Sequence, residues 1–330
     1  MKKNKIVILV ALVMAGMISL VGCSTDDKNA SGDSNYDSFT IGISQLADHP
    51  ALDDARKGFE DGLKELGVNA EIMYQNAQGE IPNANTIAQK FVKDKVDLIY
   101  AIATPAAQSA KQATSEIPII FSAVTDPVIA ELVDSMESPG GNITGTSDES
   151  PIDRQLQLFK DLDENIKKVG IIYNTGENNS PVQIKIAKEI GATLSLQIVE
   201  IGVSTINDIP QAVDSIIKKV DAIYTITDNM VASAINIVSD KAIENNLITV
   251  GAEESHIGGG ILITDGLSYY ELGKQSARMA KEILVDKKSP ADIPCEKSEN
   301  TKKFFNEETL KSLNLNQDNK VFKDATKVGK

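Results

Sequence analysis

Two similar α/β lobes, each a doubly wound parallel sheet, joined by a hinge, are what this 330-residue chain predicts. Short apolar runs alternate with longer segments of helical period from Phe39 onward, which is how a parallel sheet covered by helices on both faces reads. The same order of segments recurs in the second half. Between the halves, Ser147-Asp148-Glu149-Ser150 is polar and ends in Pro151, a residue suited to starting a helix, so this stretch has the composition of a hinge.

The elements follow in chain order. Lys2, Lys3 and Lys5 precede an apolar run from Ile6 to Met17, and Leu20-Val21-Gly22-Cys23 closes it. The run is too short for a spanning helix and ends in small residues, so residues 1–22 read as a lipoprotein signal peptide that is cleaved before Cys23. The freed Cys23 thiol then takes a lipid (palmitate) that anchors an extracytoplasmic body to the cell membrane. Residues 23–38 are small and polar, a flexible tether with little to bury. Next come the strand FTIGIS, a helix over Ala51 to Leu66, the strand AEIMY, a helix over Ile87 to Lys93, the strand DLIYAIA, a helix over Ala106 to Thr114 and the strand IPIIFSAV.

The second half mirrors the first. KVGIIYN (168–174) matches FTIGISQ (39–45), and DAIYTITDNMVASA (221–234) lies on DLIYAIATPAAQSA (97–110) with identities at Asp97/Asp221, Ile99/Ile223, Tyr100/Tyr224, Ile102/Ile226, Ser109/Ser233 and Ala110/Ala234. LITVGA (247–252) follows the second unit as PIIFSA (118–123) follows the first. The expected division is 39–147 with 254–286 as lobe 1, and 148–253 with 287–330 as lobe 2. Crossings between lobes are expected near Thr144–Ser150, near Gly251–Ser255 and after the helix Tyr269 to Leu284.

Composition narrows the function classes. The formal charge is −14, and loss of residues 1–22 removes three lysines and no acid, so nucleic acid and anionic lipid surfaces are poor partners. With Cys23 lipidated, Cys295 has no cysteine to pair with and reads as a passive thiol. Two histidines leave little for a zinc or copper site. No G-x-S-x-G, H-E-x-x-H, P-loop or G-x-G-x-x-G following a strand is present, so neither an enzyme nor a cofactor is expected. His49 reads as a loop histidine capping the helix after it, and Gly258-Gly259-Gly260 as a tight turn, because an apolar strand follows it.

Ligands of open parallel sheets bind beyond the carboxyl ends of the strands. Those ends fall at Gln45–Pro50, Thr104–Gln108, Thr125–Pro127, Asn174–Pro181, Thr227–Asn229 and Glu253–Gly260, and none of these loops holds a lysine or arginine. They hold Asp126, Glu177, Asp228, Glu253 and Glu254 instead. An anionic group would therefore rest on hydroxyls and on backbone N–H groups at a helix start such as Thr104-Pro105-Ala106-Ala107. An amine would rest on an acid. Taken singly, Asp126 and Asp228 are more commonly N-caps than ligand contacts. The candidate binding set is Gln45, Thr104, Ala106, Thr125, Asp126, Asn174, Glu177, Asn178, Ser180, Asp228 and Glu253.

In HPALDDARKGFEDGLKELG (49–67), DLIYAIATPAAQSA, IPIIFSAVTDPV (117–128), YNTGENNSP (173–181), DAIYTITDNMVASA and LGKQSARMAKEIL (272–284), the chain resembles the extracytoplasmic solute-binding lipoproteins of ABC importers. Within them it is most similar to the tryptophan- and tyrosine-binding type, with the type I periplasmic-binding-protein fold. The likeness spans nearly all of residues 39 to 285. It implies that Thr104, Asp126, Asn178, Ser180 and Asp228 line the inter-lobe cleft, that the ligand is a free aromatic amino acid (tyrosine, tryptophan or phenylalanine), and that an ABC permease and its ATPase are the partners. The tail from Phe304 to Leu315 keeps only the family's outline. A surface interaction protein on the same fold, an adhesin or ligand sensor, and an extracellular hydrolase are the rival readings.

Overall fold

The computed structural model describes residues 38–298 and 301–328. The signal peptide, Cys23 and nearly all of the tether lie outside the described residues. Strands β1 (Phe39–Gln45), β2 (Ala70–Asn76), β3 (Leu98–Ile102), β4 (Ile119–Val124) and β5 (Ile143–Ser147) form a parallel sheet in the order β2-β1-β3-β4-β5. Strands β6 (Lys168–Asn174), β7 (Gln197–Val203), β8 (Ala222–Thr225), β9 (Ile248–Glu253) and β10 (Ile263–Leu267) repeat that order as β7-β6-β8-β9-β10, again parallel. The duplication read from the sequence is therefore a duplication of topology, with DLIYAIA and DAIYTIT on the equivalent strands β3 and β8.

The edges differ. β11 (Glu296–Lys297) adds to β5 in the first sheet, whereas β12 (Thr301–Asn306) runs antiparallel beside β10 and β13 (Thr326–Val328) pairs with β12. The expected lobe boundaries need correction on this point. Residues 254–267 belong with the second lobe, because the turn at Gly258-Gly259-Gly260 feeds the fully buried strand β10 back onto β9 in the same sheet. Residues 287–298 belong with the first lobe, where Ile293 and Cys295 join its core and β11 pairs with β5. The chain thus crosses after β5, again between Leu267 and Tyr269 rather than at Gly251–Ser255, and finally between β11 and β12.

The repeated tyrosines illustrate how one sequence feature is satisfied twice. Tyr100 and Tyr224 are both fully buried in their strands, so each hydroxyl requires a partner. Tyr100 donates to Ala55 O at 3.3 Å and stacks on Phe59 with ring centroids 3.9 Å apart. Tyr224 donates to Gln155 Oε1, and Gln155 Nε2 in turn donates to Ala252 O and Asp265 O at 3.0 and 2.8 Å. In the tail, Phe305 packs on Phe322 at 5.2 Å and Leu310 is buried in the second core.

The helix Tyr269–Leu284 returns from the second lobe to pack on the helix Pro50–Glu65 of the first. The approach is close enough to require glycine: a Cβ at Gly58 would stand 2.0 Å from Tyr270 O, and one at Gly273 would stand 2.1 Å from Ala55 O. Backbone cannot retreat from such a contact without moving a helix. Gly273→Ala is expected to destabilise the protein by about 1–3 kcal/mol or more, the range for overpacking a filled interior, as measured by urea unfolding. An unchanged midpoint would show that the two helices separate freely.

Candidate functional site: a chamber between the lobes

The carboxyl ends of both sheets face a common cleft. A small chamber there is lined by His49, Leu52 and Ala123 from the first lobe, Asn179, Thr227, Asp228, Asn229, Ala232 and Glu253 from the second, and Asp148 and Tyr269 at the crossings. It holds about 10 Å³, room for roughly one water. Asn229 also lines an open groove of about 600 Å³ next to it, whose walls include Gln78–Pro82 of the first lobe and Asn174, Glu177 and Ser204–Asn207 of the second. Among the described residues, no lysine or arginine lines either space.

Three side-chain contacts join the walls. His49 Nε2 lies 3.1 Å from Asn229 Oδ1, Thr125 Oγ1 lies 3.3 Å from Thr227 Oγ1, and Tyr269 OH donates to Asp148 Oδ2 at 2.6 Å. The last contact ties together the first and second crossings, which follow the topologically equivalent strands β5 and β10. Ala123, near the carboxyl end of β4, has φ of +57°, a conformation that costs free energy for a residue with a Cβ.

The acids are arranged unequally. Burial alone would raise the Glu253 carboxyl, but His256, with Nε2 2.9 Å from Oε1, assisted by the Tyr269 hydroxyl, draws it down to about 2, so it is an anion. Burial, reinforced by the Glu253 charge, pushes Asp148 up to about 6. Glu177 is pushed up to about 8 by burial and then by the Asp228 charge, and burial raises Asp228 as well. Burial lowers His49 below 6.5, with Glu253 opposing, so its imidazole is neutral. Such a site disfavours adding a further anion and favours a cation or ammonium.

The structure distributes the sequence-derived candidates in three ways. Asp228 and Glu253 line the chamber, Asn174 and Glu177 line the groove, and Thr125 bridges the lobes. Several serve their own loops, Asp228 while also lining the chamber: its Oδ1 caps Val231 N at 3.0 Å and its Oδ2 accepts from Asn174 N and Ser180 Oγ, both at 2.7 Å. Gln45 Nε2 donates to Ala47 O and Asp53 Oδ1. Asp126 is absent from both linings, and its Oδ1 accepts from Val128 N and Ile129 N at 3.0 and 2.8 Å. Thr104 and Ala106 are buried in the first turn of their helix and Asn178 is exposed, and none of the three lines these spaces.

Sequence reasoning missed His49, Asp148, Asn179, Thr227, Asn229 and Tyr269 as site residues. His49 is a correction in kind: it occupies the N-cap position of Pro50–Glu65 without a side-chain capping bond and reaches Asn229 across the cleft instead. Asp148 was legible as hinge composition, but its burial was not.

Against this geometry, the comparisons with known proteins are decisive on family. The profile of the family described as ABC transporter substrate binding protein matches residues 40–329. The chain belongs to this family. It is 43% identical to a tyrosine-binding protein of Clostridioides difficile (strain R20291), over 95% of this chain and 93% of that one. Among solved structures, it is similar to the ABC domain in complex with L-Trp from Streptococcus pneumonia, with a TM-score of 0.85 and 31% identity, covering 89% of this chain and 100% of that one. The ligand-free, open structure of a substrate binding protein with adhesive properties from Clostridium difficile aligns with a TM-score of 0.68 at 41% identity, covering 88% and 99%. The two lobes have the type I periplasmic-binding-protein fold.

The buried acids set a pH dependence. In the folded state Glu177 keeps its proton up to about pH 8, whereas the unfolded carboxyl loses it near 4.5, so the native state binds more protons between these values and stability falls as pH rises. His49, lowered from 6.5, works in the opposite sense below 6.5. Between about pH 6.5 and 8 the melting temperature of the unliganded protein is expected to fall, and Glu177→Gln is expected to flatten that slope. A slope that is unchanged in the variant would remove Glu177 from the titration.

Proposed function

We propose that this protein is the extracytoplasmic substrate-binding component of an ABC importer for a free aromatic amino acid, tyrosine, tryptophan or phenylalanine, and that lipid on Cys23 tethers it to the cell membrane. The observation that carries the reading is the inter-lobe chamber: acidic, lacking lysine and arginine, walled by both lobes and adjoining a groove with room for a side chain. The relative named as tyrosine-binding and the neighbour solved with L-Trp support the aromatic class. Ligand contacts to both lobes favour the closed arrangement by their differential affinity, and closure presents the loaded form to the permease and ATPase. The protein itself carries and releases the ligand without transforming it. The adhesive properties of a 41% identical relative support a second role as a surface interaction protein, which binding of the purified protein to host-cell surfaces tests.

Tyrosine, tryptophan or phenylalanine is expected to raise the melting temperature by mass action, while N-acetyl and amide derivatives change it little. Stabilisation by sugars or nucleosides instead of amino acids would overturn the substrate class. Mass spectrometry of ligand released from the purified protein identifies the preferred member.

Cys23→Ala is expected to abolish membrane retention in cell fractionation and to leave ligand binding intact, since a multiply acylated terminus is what holds firmly. Membrane association that survives the substitution would exclude lipidation at Cys23. Loss of binding in soluble variant protein would make the tether part of the fold.

A further inference from the structure

Three buried side-chain atoms at the chamber share one chemical property. His49 Nε2 faces Asn229 Oδ1, and Asn229 uses its Nδ2 to donate to Glu177 Oε2. Asn229 therefore meets His49 as an acceptor, which fixes the imidazole proton on Nε2 and leaves Nδ1 as a lone pair. That Nδ1 is buried and receives no hydrogen bond from the protein. Asp148 accepts the Tyr269 hydroxyl on Oδ2, the Thr125 hydroxyl also favours its anion, and its buried Oδ1 makes no hydrogen bond among the described residues. Asn179 donates through Nδ2 to Thr227 O at 2.9 Å, which leaves its buried Oδ1 in the same condition.

The three residues are 5%, 3% and 8% exposed, and all line the chamber. Buried polar atoms are rarely left unpaired, and here three acceptors without a donor among the described residues belong to residues that line one chamber. A carboxylate offers no proton to them, and a hydroxyl offers one. A primary ammonium offers three, with a positive charge that suits Asp148 and the neighbouring Glu253.

We propose that His49 Nδ1, Asp148 Oδ1 and Asn179 Oδ1 form a three-acceptor seat for the ligand's primary ammonium. The proposal rests on the reading of the ligand as a free amino acid and specifies its recognition, taking the amine away from Asp126, which lines neither the chamber nor the groove and whose Oδ1 accepts from its own loop. His49 belongs to the first lobe, Asn179 to the second and Asp148 to the first crossing. One ammonium bonded to all three joins both lobes at the hinge side of the cleft, which makes the amine a determinant of closure as well as of specificity.

The test compares L-tyrosine with 3-(4-hydroxyphenyl)lactate, in which a hydroxyl replaces the amine, by titration calorimetry on wild type, Asp148→Asn and Asn179→Ala. The remaining nineteen amino acids and their available α-hydroxy counterparts form a thermal-shift panel. Asp148→Asn keeps an acceptor for Tyr269 and turns an N–H toward the seat, so its unliganded melting temperature is expected not to fall. Wild type is expected to prefer tyrosine by at least about a hundredfold, and each variant to weaken tyrosine by at least about tenfold while narrowing that preference. Equal binding of the two ligands by wild type overturns the seat, as does an equal loss for both ligands in the variants. If a non-aromatic amino acid binds and its α-hydroxy counterpart does not, the seat stands and the aromatic reading fails. If no primary amine in the panel stabilises the protein, the seat is overturned. Should Asp148→Asn fail to fold, Asn179→Ala decides by the same criterion.

Discussion

Burying carboxylates between two lobes with no lysine or arginine to match them is the constraint on which this molecule turns. Glu253 remains an anion because His256 and Tyr269 gather around it, and Asp148, Glu177 and Asp228 are each pushed toward their protonated forms. In low-dielectric surroundings such a cluster resists closure unless positive charge enters with it. On the proposed reading, ligand chemistry and lobe closure are one problem: what neutralises the chamber also holds the lobes together.

The duplicated topology gives that coupling its geometry. Strands β5 and β10 are equivalent, and the chain leaves its lobe immediately after each. Asp148 and Tyr269 follow these strands and bond to one another at 2.6 Å, so the two crossings are joined where they pass beside the chamber. The interlocked glycines of Pro50–Glu65 and Tyr269–Leu284 then fix the second crossing to the first lobe with little freedom to slide. The chamber sits next to these crossings, with Asp148 and Tyr269 in its wall.

The capping acids separate scaffold from recognition. Asp228 lines the chamber, yet its two oxygens hold Val231 N, Asn174 N and Ser180 Oγ, organising the loops after β6 and β8 into a fixed wall. Asn229, the next residue, points across the cleft to His49 and contributes to both the chamber and the groove. Neighbouring residues in one loop thus divide the work, the first making the wall rigid and the second facing the other lobe.

Much of this was legible in the chain alone. The alternation of apolar runs with helical segments set the layered α/β class, and the likeness of DLIYAIA to DAIYTIT announced two lobes, because buried parallel strands leave continuous apolar runs that survive as pattern. The lack of basic residues in the strand-end loops predicted an acidic cleft. Which lobe owned Ile263–Leu267 was not legible, since a buried strand reads alike in either sheet and only its pairing with β9 decided it. Nor could the chain distinguish Asp126, which holds its own turn through Oδ1 and lines neither space, from Asp148, an inconspicuous hinge residue that becomes buried. A carboxylate's role depends on which donors reach each oxygen. Those donors come from residues as distant as Tyr269, so the sequence by itself determined the charge of the cleft, and only the tertiary structure decided which acceptors remain free to bind.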